Sequence, residues 1–398
     1  MKSIFFHSTP FSIAKSKSAA QNVNGCVFPA LSRIDEMRPS FNQTGNRGNM
    51  VHAEAPQKLF RHNLSLSCTG NLVSVQQADP FAFSDYINSF DVIILSVANL
   101  IRKNQDHSRL VAALKEIHKP LFVFSAGLQT RLDSLSHLSP STRDLLSILN
   151  EKAALFSVRG ETTQEFLHTN GINNCVALGC PSLYVYPDNI RKIAPMSLEP
   201  FTRLTVAGHF SRENLSEATS KSKRAVDFYN FMSSCNNPID YVLQDEIFTF
   251  SELLNEKGMF DDATFSFDTA RMTAYFASLN VDMKFVGGWY MFDNVSAWRS
   301  YIRSRDLYFG DRFHGGVVAL QTGTPAIIVK GDARVMELVD YFKLPSATFA
   351  DMRTKSLAEI VERELSSSKL EVFHKCYTAR RANFVKVCKK AGLSFAEL

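Results

Sequence analysis

Residues 303–339 read RSRDLYFGDRFHGGVVALQTGTPAIIVKGDARVMELV, and this segment alternates between strand-like and helix-like patterns. The apolar run 306–310 predicts a buried strand, and the small residues of 315–323 predict a helix that ends at Gly323. A second strand-like run, 325–329, leads into a helix for which Asp332 is a suitable N-cap. Strands and helices that alternate at this length are typical of a parallel α/β sheet.

The junction between the first strand and its helix carries the sequence GDRFHGG, residues 310–316. In open α/β sheets, ligands bind at the carboxyl ends of the strands, where free N–H groups of a helix N-terminus favour an anion. Arg312 and His314 lie at this position. We expect Gly315 and Gly316 to let a ligand approach the backbone, because they have no side chain.

Two further arginines occupy the same context. Arg334 lies in the first turn of the next helix, and Arg159 directly follows the strand-like run ALFSV in the first half of the chain. The planar guanidinium group binds carboxylate and phosphate in a bidentate manner. The sequence therefore predicts an anion-binding cleft formed by Arg159, Arg312 and Arg334, with Lys330 as a fourth cation.

His314 is the candidate catalytic residue. A single histidine is commonly a structural residue, but this one lies two positions from Arg312 at the ligand-binding edge. Its imidazole titrates near neutral pH, so it is suited to general acid or base catalysis.

The rest of the chain supports two α/β domains. In the first half, buried strands at 90–97 and 119–127 flank a helical pattern at 108–118, which predicts a βαβ unit. A proline-rich segment follows, and a second alternating series begins near residue 201. We predict an N-terminal Rossmann-like domain (1–190), a linker (191–200), a C-terminal Rossmann-like domain with the donor site (201–375) and a final helical segment (376–398).

Composition excludes several classes of protein. The chain has 398 residues, 45% of them hydrophobic, and a net charge of +5 without a basic run, so a nucleic-acid partner is not expected. The seven cysteines include no CxxC pair, and no DxD or His/Cys spacing indicates a metal site. No apolar run reaches the length of a membrane span. We expect a cytoplasmic protein, free or peripheral at the membrane.

These motifs resemble the signature of the polysaccharide pyruvyl transferase family. The family pattern S-x-R-L-H-G-x-x-x-A-x-x-x-G-x-P-x-I corresponds to GDRFHGGVVALQTGTPAI, and SVRGETT (157–163), LGCPSL (178–183) and TGNRGNMVHAEAP (44–56) match its other motifs. Among the differences from the family motifs, Gly160, Asn49 and Cys180 stand where the family has acidic residues.

The resemblance implies an enzyme that moves the enolpyruvyl group of phosphoenolpyruvate onto two hydroxyls of a sugar or glycan, lipid-linked acceptors included, to form a pyruvate ketal in polysaccharide or exopolysaccharide biosynthesis. It implies two Rossmann-like domains facing across a cleft, like GT-B glycosyltransferases, with the last helix packing back on the first domain. Phosphoenolpyruvate is then the donor substrate, and no cofactor or metal is required.

Candidate acceptor-binding residues come from other strand ends. Trp289 and Tyr290 follow a strand of the second domain, His209 follows its first strand, and Arg47 lies in the glycine–asparagine loop. Aromatic faces pack on sugar rings, so Trp289 and Tyr290 are the predicted acceptor platform.

Two alternative functions fit the same features. A GT-B glycosyltransferase would use the cationic cleft for the diphosphate of a nucleotide sugar, and a catalytically inert glycan-binding protein would keep only the fold. The sequence does not identify the acceptor sugar or the oligomeric state.

Overall fold

The computed structural model describes residues 2–7, 21–23, 26–28, 46–60, 65–71, 87–97, 100–129, 132–213, 220–250, 252–253, 256–261, 263–292, 295–393 and 395–396. The strands in these ranges are β1 (Lys2–His7), β2 (Gln21–Val23), β3 (Cys26–Phe28), β4 (Ser65–Asn71), β5 (Val92–Ser96), β6 (Leu121–Ala126), β7 (Ala153–Val158), β8 (Val176–Ala177), β9 (Leu204–Ala207), β10 (Ile239–Val242), β11 (Phe260–Asp261), β12 (Ser266–Phe267), β13 (Val286–Tyr290), β14 (Leu307–Gly310), β15 (Ala326–Val329) and β16 (Ser346–Ala347).

The helices in the same ranges are α1 (Gly48–Leu59), α2 (Ser108–Lys115), α3 (Pro140–Lys152), α4 (Glu161–Thr169), α5 (Pro187–Arg191), α6 (Ser220–Ser233), α7 (Thr269–Ser278), α8 (Val295–Ile302), α9 (Phe313–Thr322), α10 (Ala333–Phe342), α11 (Phe349–Thr354), α12 (Leu357–Glu364) and α13 (Ser367–Lys390). Short 3-10 turns occur at Leu135–His137, Pro181–Tyr184 and Glu246–Thr249.

The first domain contains a six-stranded sheet in the order β4-β1-β5-β6-β7-β8, and every neighbouring pair is parallel. All residues of β5 and β6 are buried, which explains why these strands read as uninterrupted apolar runs. The predicted βαβ unit, built from β5, α2 and β6, is confirmed.

The second domain contains an eight-stranded sheet in the order β11-β12-β13-β10-β9-β14-β15-β16. The six strands β13-β10-β9-β14-β15-β16 pair in parallel. The short strands β11 and β12 add an antiparallel edge that the sequence did not indicate. Two parallel α/β sheets confirm the predicted fold class.

Helix α1 joins the two domains and is buried along most of its length. The carboxylate of Glu54 accepts two hydrogen bonds from Arg299 of α8, at 2.7 and 2.9 Å, and both side chains are less than one-tenth exposed. Arg299 also donates to Gln321, whose amide in turn donates to the carbonyl of Ser182, at 3.0 and 2.7 Å. A buried polar network therefore fixes α1 to the second domain.

The last helix, α13, begins at Ser367, nine residues before the start that we expected. Its Tyr377 donates to the carbonyl of Leu183 at 2.8 Å, and the ring of Phe384 stacks on Tyr184 with 4.1 Å between centroids. The helix thus packs against the first domain. Between α5 and β9, residues 192–203, all of them described, contain no helix or strand.

No helix in the described part of the chain has both the length and the apolar composition to cross a membrane.

Candidate functional site

A polar pocket lies where the carboxyl ends of the two parallel sheets face each other. Arg159 comes from the first domain, and two asparagines from the segment before and within α1. The second domain supplies the other polar groups. The lining residues are Asn46, Asn49, Arg159, His209, Gln244, Asp311, Arg312, Phe313, His314, Asp332, Arg334, Val335 and Leu338. The structure thus brings Arg159, Arg312, Arg334, His314 and His209 together at one site.

The glycine pair at the start of α9 serves packing. A Cβ atom on Gly315 would lie 2.6 Å from the hydroxyl oxygen of Tyr308, and one on Gly316 would lie 2.0 Å from Cδ1 of Ile328. Both neighbours belong to strands under the helix. The contacts show that a glycine at position 315 lets α9 lie close to the sheet and so sets the position of His314. Our expectation that Gly315 admits a ligand stays a prediction.

His314 lies in the first turn of α9 and its ring borders the pocket. Its Nε2 is 3.6 Å from the sulfur of Cys180, which lies across the domain boundary. Burial, followed by the positive charges of Arg159 and Arg334, lowers the pKa of His314 to about 3. The imidazole is therefore neutral at physiological pH.

Arg159 follows β7, and its side chain packs over Gly127, where a Cβ atom would lie 2.4 Å from Cδ of the arginine. Among the described residues, no side chain or carbonyl accepts a hydrogen bond from its guanidinium group. Burial and the neighbouring charge of Arg334 lower the pKa of Arg159 to about 10, so it stays protonated at neutral pH. A buried cation with no described acceptor, at the wall of a pocket, is suited to bind an anion.

Arg334 lies in the first turn of α10 and forms an ion pair with both carboxylate oxygens of Asp332. Its Nε donates to Oδ1 at 3.3 Å, and its Nη2 donates to Oδ2 at 2.6 Å. Asp332 also caps the helix by accepting from the backbone nitrogens of Arg334 and Val335. Burial alone would raise the pKa of Asp332, but the hydrogen bonds and charge of Arg334 lower it to about 2. Asp332 thus holds the guanidinium group beside the pocket.

Arg312 lines the pocket as expected, but its guanidinium group is already paired with carboxylates. Its guanidinium group is buried and forms ion pairs with Asp245 and with Glu246, the latter at 3.0 Å, and its Nε donates to Glu246 at 3.1 Å. Burial disfavours the charged guanidinium group and would lower the pKa of Arg312. The neighbouring carboxylates have the larger effect, so the pKa of Arg312 lies above its ordinary value. Arg312 is therefore already neutralised, and we assign it to positioning the start of α9.

Two other predicted cations do not border the pocket. Lys330 forms an ion pair with Asp340 at 2.7 Å and lies on a separate surface depression. Arg47 is 1% exposed and precedes α1, so its charge lies inside the protein. Of the four predicted cations, Lys330 lies away from the pocket and Arg312 is paired with two carboxylates, so Arg159 and Arg334 are our candidates for anion binding.

The proposed acceptor residues fall into two groups. His209 borders the pocket, and its Nδ1 is 2.8 Å from a carboxylate oxygen of Asp311. Trp289 is wholly buried and stacks on Phe276 with 5.2 Å between centroids, so the expectation that its face binds a sugar is wrong. Tyr290 packs against Tyr301, with 4.4 Å between centroids, and does not line the pocket.

The sequence analysis missed several residues of the pocket. Asn46 and Asn49 flank Arg47 in the loop GNRGN, and the structure turns these two toward the pocket instead of the arginine. Gln244 follows β10 at its carboxyl end, which is the same signal that identified Arg159. Its side-chain oxygen accepts from the nitrogen of Gly48 at 3.1 Å and so ties the two domains together at the site.

Comparison with known proteins gives one family. The family model for polysaccharide pyruvyl transferase matches residues 46–332, which include ten of the thirteen residues that line the pocket. No curated protein matches the sequence.

Solved structures with a similar overall shape include several enzymes of sugar metabolism. HepE from Anabaena in complex with UDP has 14% identity and a TM-score of 0.44, with 98% of each chain covered. The lipopolysaccharide outer core galactosyltransferase WaaB has 11% identity and a TM-score of 0.44, covering 98% of this chain and 99% of that one. The α,α-trehalose-phosphate synthase of Burkholderia xenovorans in complex with glucose-6-phosphate has 11% identity and a TM-score of 0.46, covering 91% and 86%. Likenesses of this strength say nothing about the substrate.

Proposed function

Because the chain belongs to the polysaccharide pyruvyl transferase family, we propose that it moves the enolpyruvyl group of phosphoenolpyruvate onto two hydroxyls of a sugar or glycan, leaving a cyclic pyruvate ketal. The observation that carries this proposal is the position of Arg159, Arg334 and His314 around one pocket between the domains. Two cations suit a donor that has both a phosphate and a carboxylate. The neutral imidazole beside them suits a proton transfer.

Arg159 is the main anion-binding group in this proposal. Its guanidinium group has no acceptor among the described residues, so a phosphate or carboxylate oxygen would satisfy its donors without breaking an existing bond. Arg334 adds a second guanidinium group. It is about one-quarter exposed and is paired with one carboxylate, whereas the buried Arg312 is paired with two. The N-terminus of α9, where no described side chain caps the first turn, adds backbone N–H groups and the positive end of the helix dipole.

His314 handles the proton. As C3 of the donor takes up a proton, C2 becomes electrophilic and the first sugar oxygen bonds to it. That hydroxyl loses its proton to His314, which is neutral before donor binding and can pass the proton on to C3. The second hydroxyl then displaces phosphate at C2, and phosphate leaves with the electron pair of the C–O bond. The protons balance, because the proton of the first hydroxyl reaches C3 and phosphate takes the proton of the second hydroxyl.

The acceptor would enter from the polar side of the pocket. His209, oriented by Asp311, and the two asparagines Asn46 and Asn49 offer hydrogen bonds to sugar hydroxyls. This arrangement replaces the aromatic platform that the sequence suggested.

The test is a reaction of the full chain with phosphoenolpyruvate and a panel of sugars and glycans that carry neighbouring hydroxyl pairs. Release of phosphate should require an acceptor, and the product should gain a pyruvate ketal that NMR identifies by its quaternary carbon. UDP-sugars in the same panel provide the comparison. Transfer of a sugar from UDP-sugars, with no phosphate released from phosphoenolpyruvate, would overturn the proposal in favour of a glycosyltransferase.

A further inference from the structure

Three side chains from three separate elements meet behind the pocket. His52 lies within α1, Cys180 precedes the turn Pro181–Tyr184, and His314 lies in α9. The sulfur of Cys180 is 3.5 Å from Nδ1 of His52 and 3.6 Å from Nε2 of His314. The three ligand atoms all lie within 4.8 Å of one another, and no other such group of His, Cys and acidic residues occurs in the part of the chain that the structure describes.

These distances match the edges of a tetrahedral metal site. With Zn–S near 2.3 Å and Zn–N near 2.0–2.1 Å, a tetrahedral ion separates its sulfur and nitrogen ligands by about 3.5–3.6 Å. Both sulfur–nitrogen distances in the cluster already have this value. The two histidine nitrogens are at most 4.8 Å apart, so small rotations of the rings would bring both within bonding distance of one metal ion.

The cluster has the chemistry of a site for a borderline-soft ion. Two imidazoles and one thiolate are preferred by Zn²⁺, Co²⁺ and Cu²⁺, whereas Mg²⁺ and Ca²⁺ require oxygen ligands. Cys180 is 1% exposed and also contacts the hydroxyl of Ser182 at 2.9 Å, which helps to fix its position. His314 borders the pocket, so the fourth position of a bound ion would face the donor site.

The charge of Arg159 acts in two directions here. It repels a divalent ion. Burial raises the pKa of Cys180, and the charge of Arg159 opposes that rise and so favours the thiolate form that a metal ion requires. Once the thiolate forms, a bound ion adds only one net positive charge. An anion in the pocket, held by Arg159 and bound to the fourth position, would neutralise it.

We propose that His52, Cys180 and His314 form a binding site for a divalent transition-metal ion of the zinc class, and that this ion switches off transfer by occupying Nε2 of His314. The inhibitory part rests on the proposed function, because it requires His314 to move a proton. The binding part rests on the three ligands alone.

Binding is tested directly with Co²⁺ as the probe. The chelator-treated, reduced full chain should bind one Co²⁺ and show a thiolate-to-cobalt absorption band together with the visible bands of tetrahedral cobalt, and Zn²⁺ should displace it. Cys180→Ser should abolish the thiolate band and weaken binding at least about 100-fold, since even second-shell changes cost about 10–100-fold. Cys175→Ser, which alters a buried thiol outside the cluster, is the matched control.

A second variant guards against misfolding. His52→Gln retains Cys180, so its cobalt complex should still show a thiolate band, but a weaker and shifted one. Thermal melting checks that each variant is folded. No cobalt–thiolate band in the unaltered chain, or an equal band in Cys180→Ser, would overturn the metal site.

Inhibition of pyruvyl transfer by the bound ion is tested separately. Zn²⁺ at a concentration that saturates the site should reduce transfer at least about tenfold in the unaltered chain and in Cys175→Ser. Cys180→Ser, normalised to its own metal-free rate, should lose this sensitivity. Full transfer by the zinc-loaded protein would overturn the switch. If the metal binds as expected but the metal-free protein transfers no pyruvyl group to any acceptor, the proposed function fails while the metal site stands.

Discussion

The carboxylate of Glu337 accepts hydrogen bonds from the backbone nitrogen and the hydroxyl of Thr163, at 2.6 and 2.9 Å. Glu337 belongs to α10 of the second domain and Thr163 to the first turn of α4 in the first. Gly160, the N-cap of α4, provides no side chain for this purpose. A residue from the other domain therefore caps the helix that follows Arg159.

This relationship predicts a coupling between positions 160 and 337. A Cβ atom on Gly160 would lie 2.5 Å from Cγ of Glu337, so Gly160→Ala should push the carboxylate away and cost about 1–3 kcal/mol of unfolding free energy. In a Glu337→Ala background the same change should cost less, with a coupling of at least about 0.5 kcal/mol. Urea unfolding of the four proteins measures the cycle, and additive effects would contradict the prediction.

Replacing Arg159 tests the anion site. Arg159→Met keeps the stem that packs on Gly127 and removes the charge. The Kd for phosphoenolpyruvate should rise at least about tenfold, because a charge-assisted hydrogen bond is worth about 1.5–3 kcal/mol. Stability should not fall, since the guanidinium group is buried without a described acceptor. Calorimetry and thermal melting provide the two readouts. Lys330→Met, which removes a cation outside the pocket, is the control and should leave the Kd unchanged.

Arg312 should behave differently from Arg159. Arg312→Met leaves Asp245 and the fully buried Glu246 without their cation, and breaking a buried pair in this way costs about 3–5 kcal/mol of unfolding free energy. Adding Glu246→Gln should recover part of that loss, because one uncompensated charge disappears. Denaturant unfolding measures both proteins. A stable Arg312→Met variant that only binds the donor more weakly would return Arg312 to the anion site.

His314 should affect rate more than binding. His314→Gln keeps a hydrogen-bond donor of similar size but cannot carry the proton, so kcat should fall by about 10²–10⁴, the usual contribution of general acid–base catalysis. The Kd for the donor should change much less, because the arginines hold the anion. Turnover and calorimetry on the metal-free variant test this. Near-normal kcat would show that another group moves the proton.

Donor binding should be linked to proton uptake. The pKa of His314 is about 3, because burial and then the charges of Arg159 and Arg334 disfavour the imidazolium. A bound anion opposes those charges and raises this pKa, so the complex holds more protons than the free protein. Phosphoenolpyruvate should bind more tightly as the pH falls from the pKa of His314 in the complex towards about 3, with proton uptake that calorimetry detects in buffers of different ionisation enthalpy. His314→Gln corrects for titration of the donor itself, and equal uptake in this variant would contradict the prediction.

The sequence predicts the parts of the site that follow from local order. Arg159, Arg334 and His314 each stand just after a buried parallel strand, and parallel strands bring such positions to one edge of a sheet. Arg312 stands there too, but its partners Asp245 and Glu246 lie on another strand end some 66 residues away in the sequence. Local patterns do not reveal which strands become neighbours, so they could not show that its charge is already used.

Local sequence patterns also do not show which side chains of a strand face the core, or which distant residues meet in space. Trp289 and Tyr290 sit at a strand end as predicted, but strand periodicity does not tell which residue faces the core and which neighbours it meets. His52, Cys180 and His314 are far apart in the sequence, since the first two are 128 positions apart and the last two 134. No spacing rule for metal ligands applies to residues that only the packing of two domains brings together.

The buried ion pair between Glu54 and Arg299 has a consequence for how the molecule unfolds. Separating the domains would leave both charges in apolar surroundings or expose most of α1 to water, and either change is unfavourable. The two halves should therefore melt in a single cooperative transition, with coincident curves from probes placed in each sheet. A fragment that contains only one half should lack a stable native state, and the cleft should open by movement of side chains and loops rather than by a hinge.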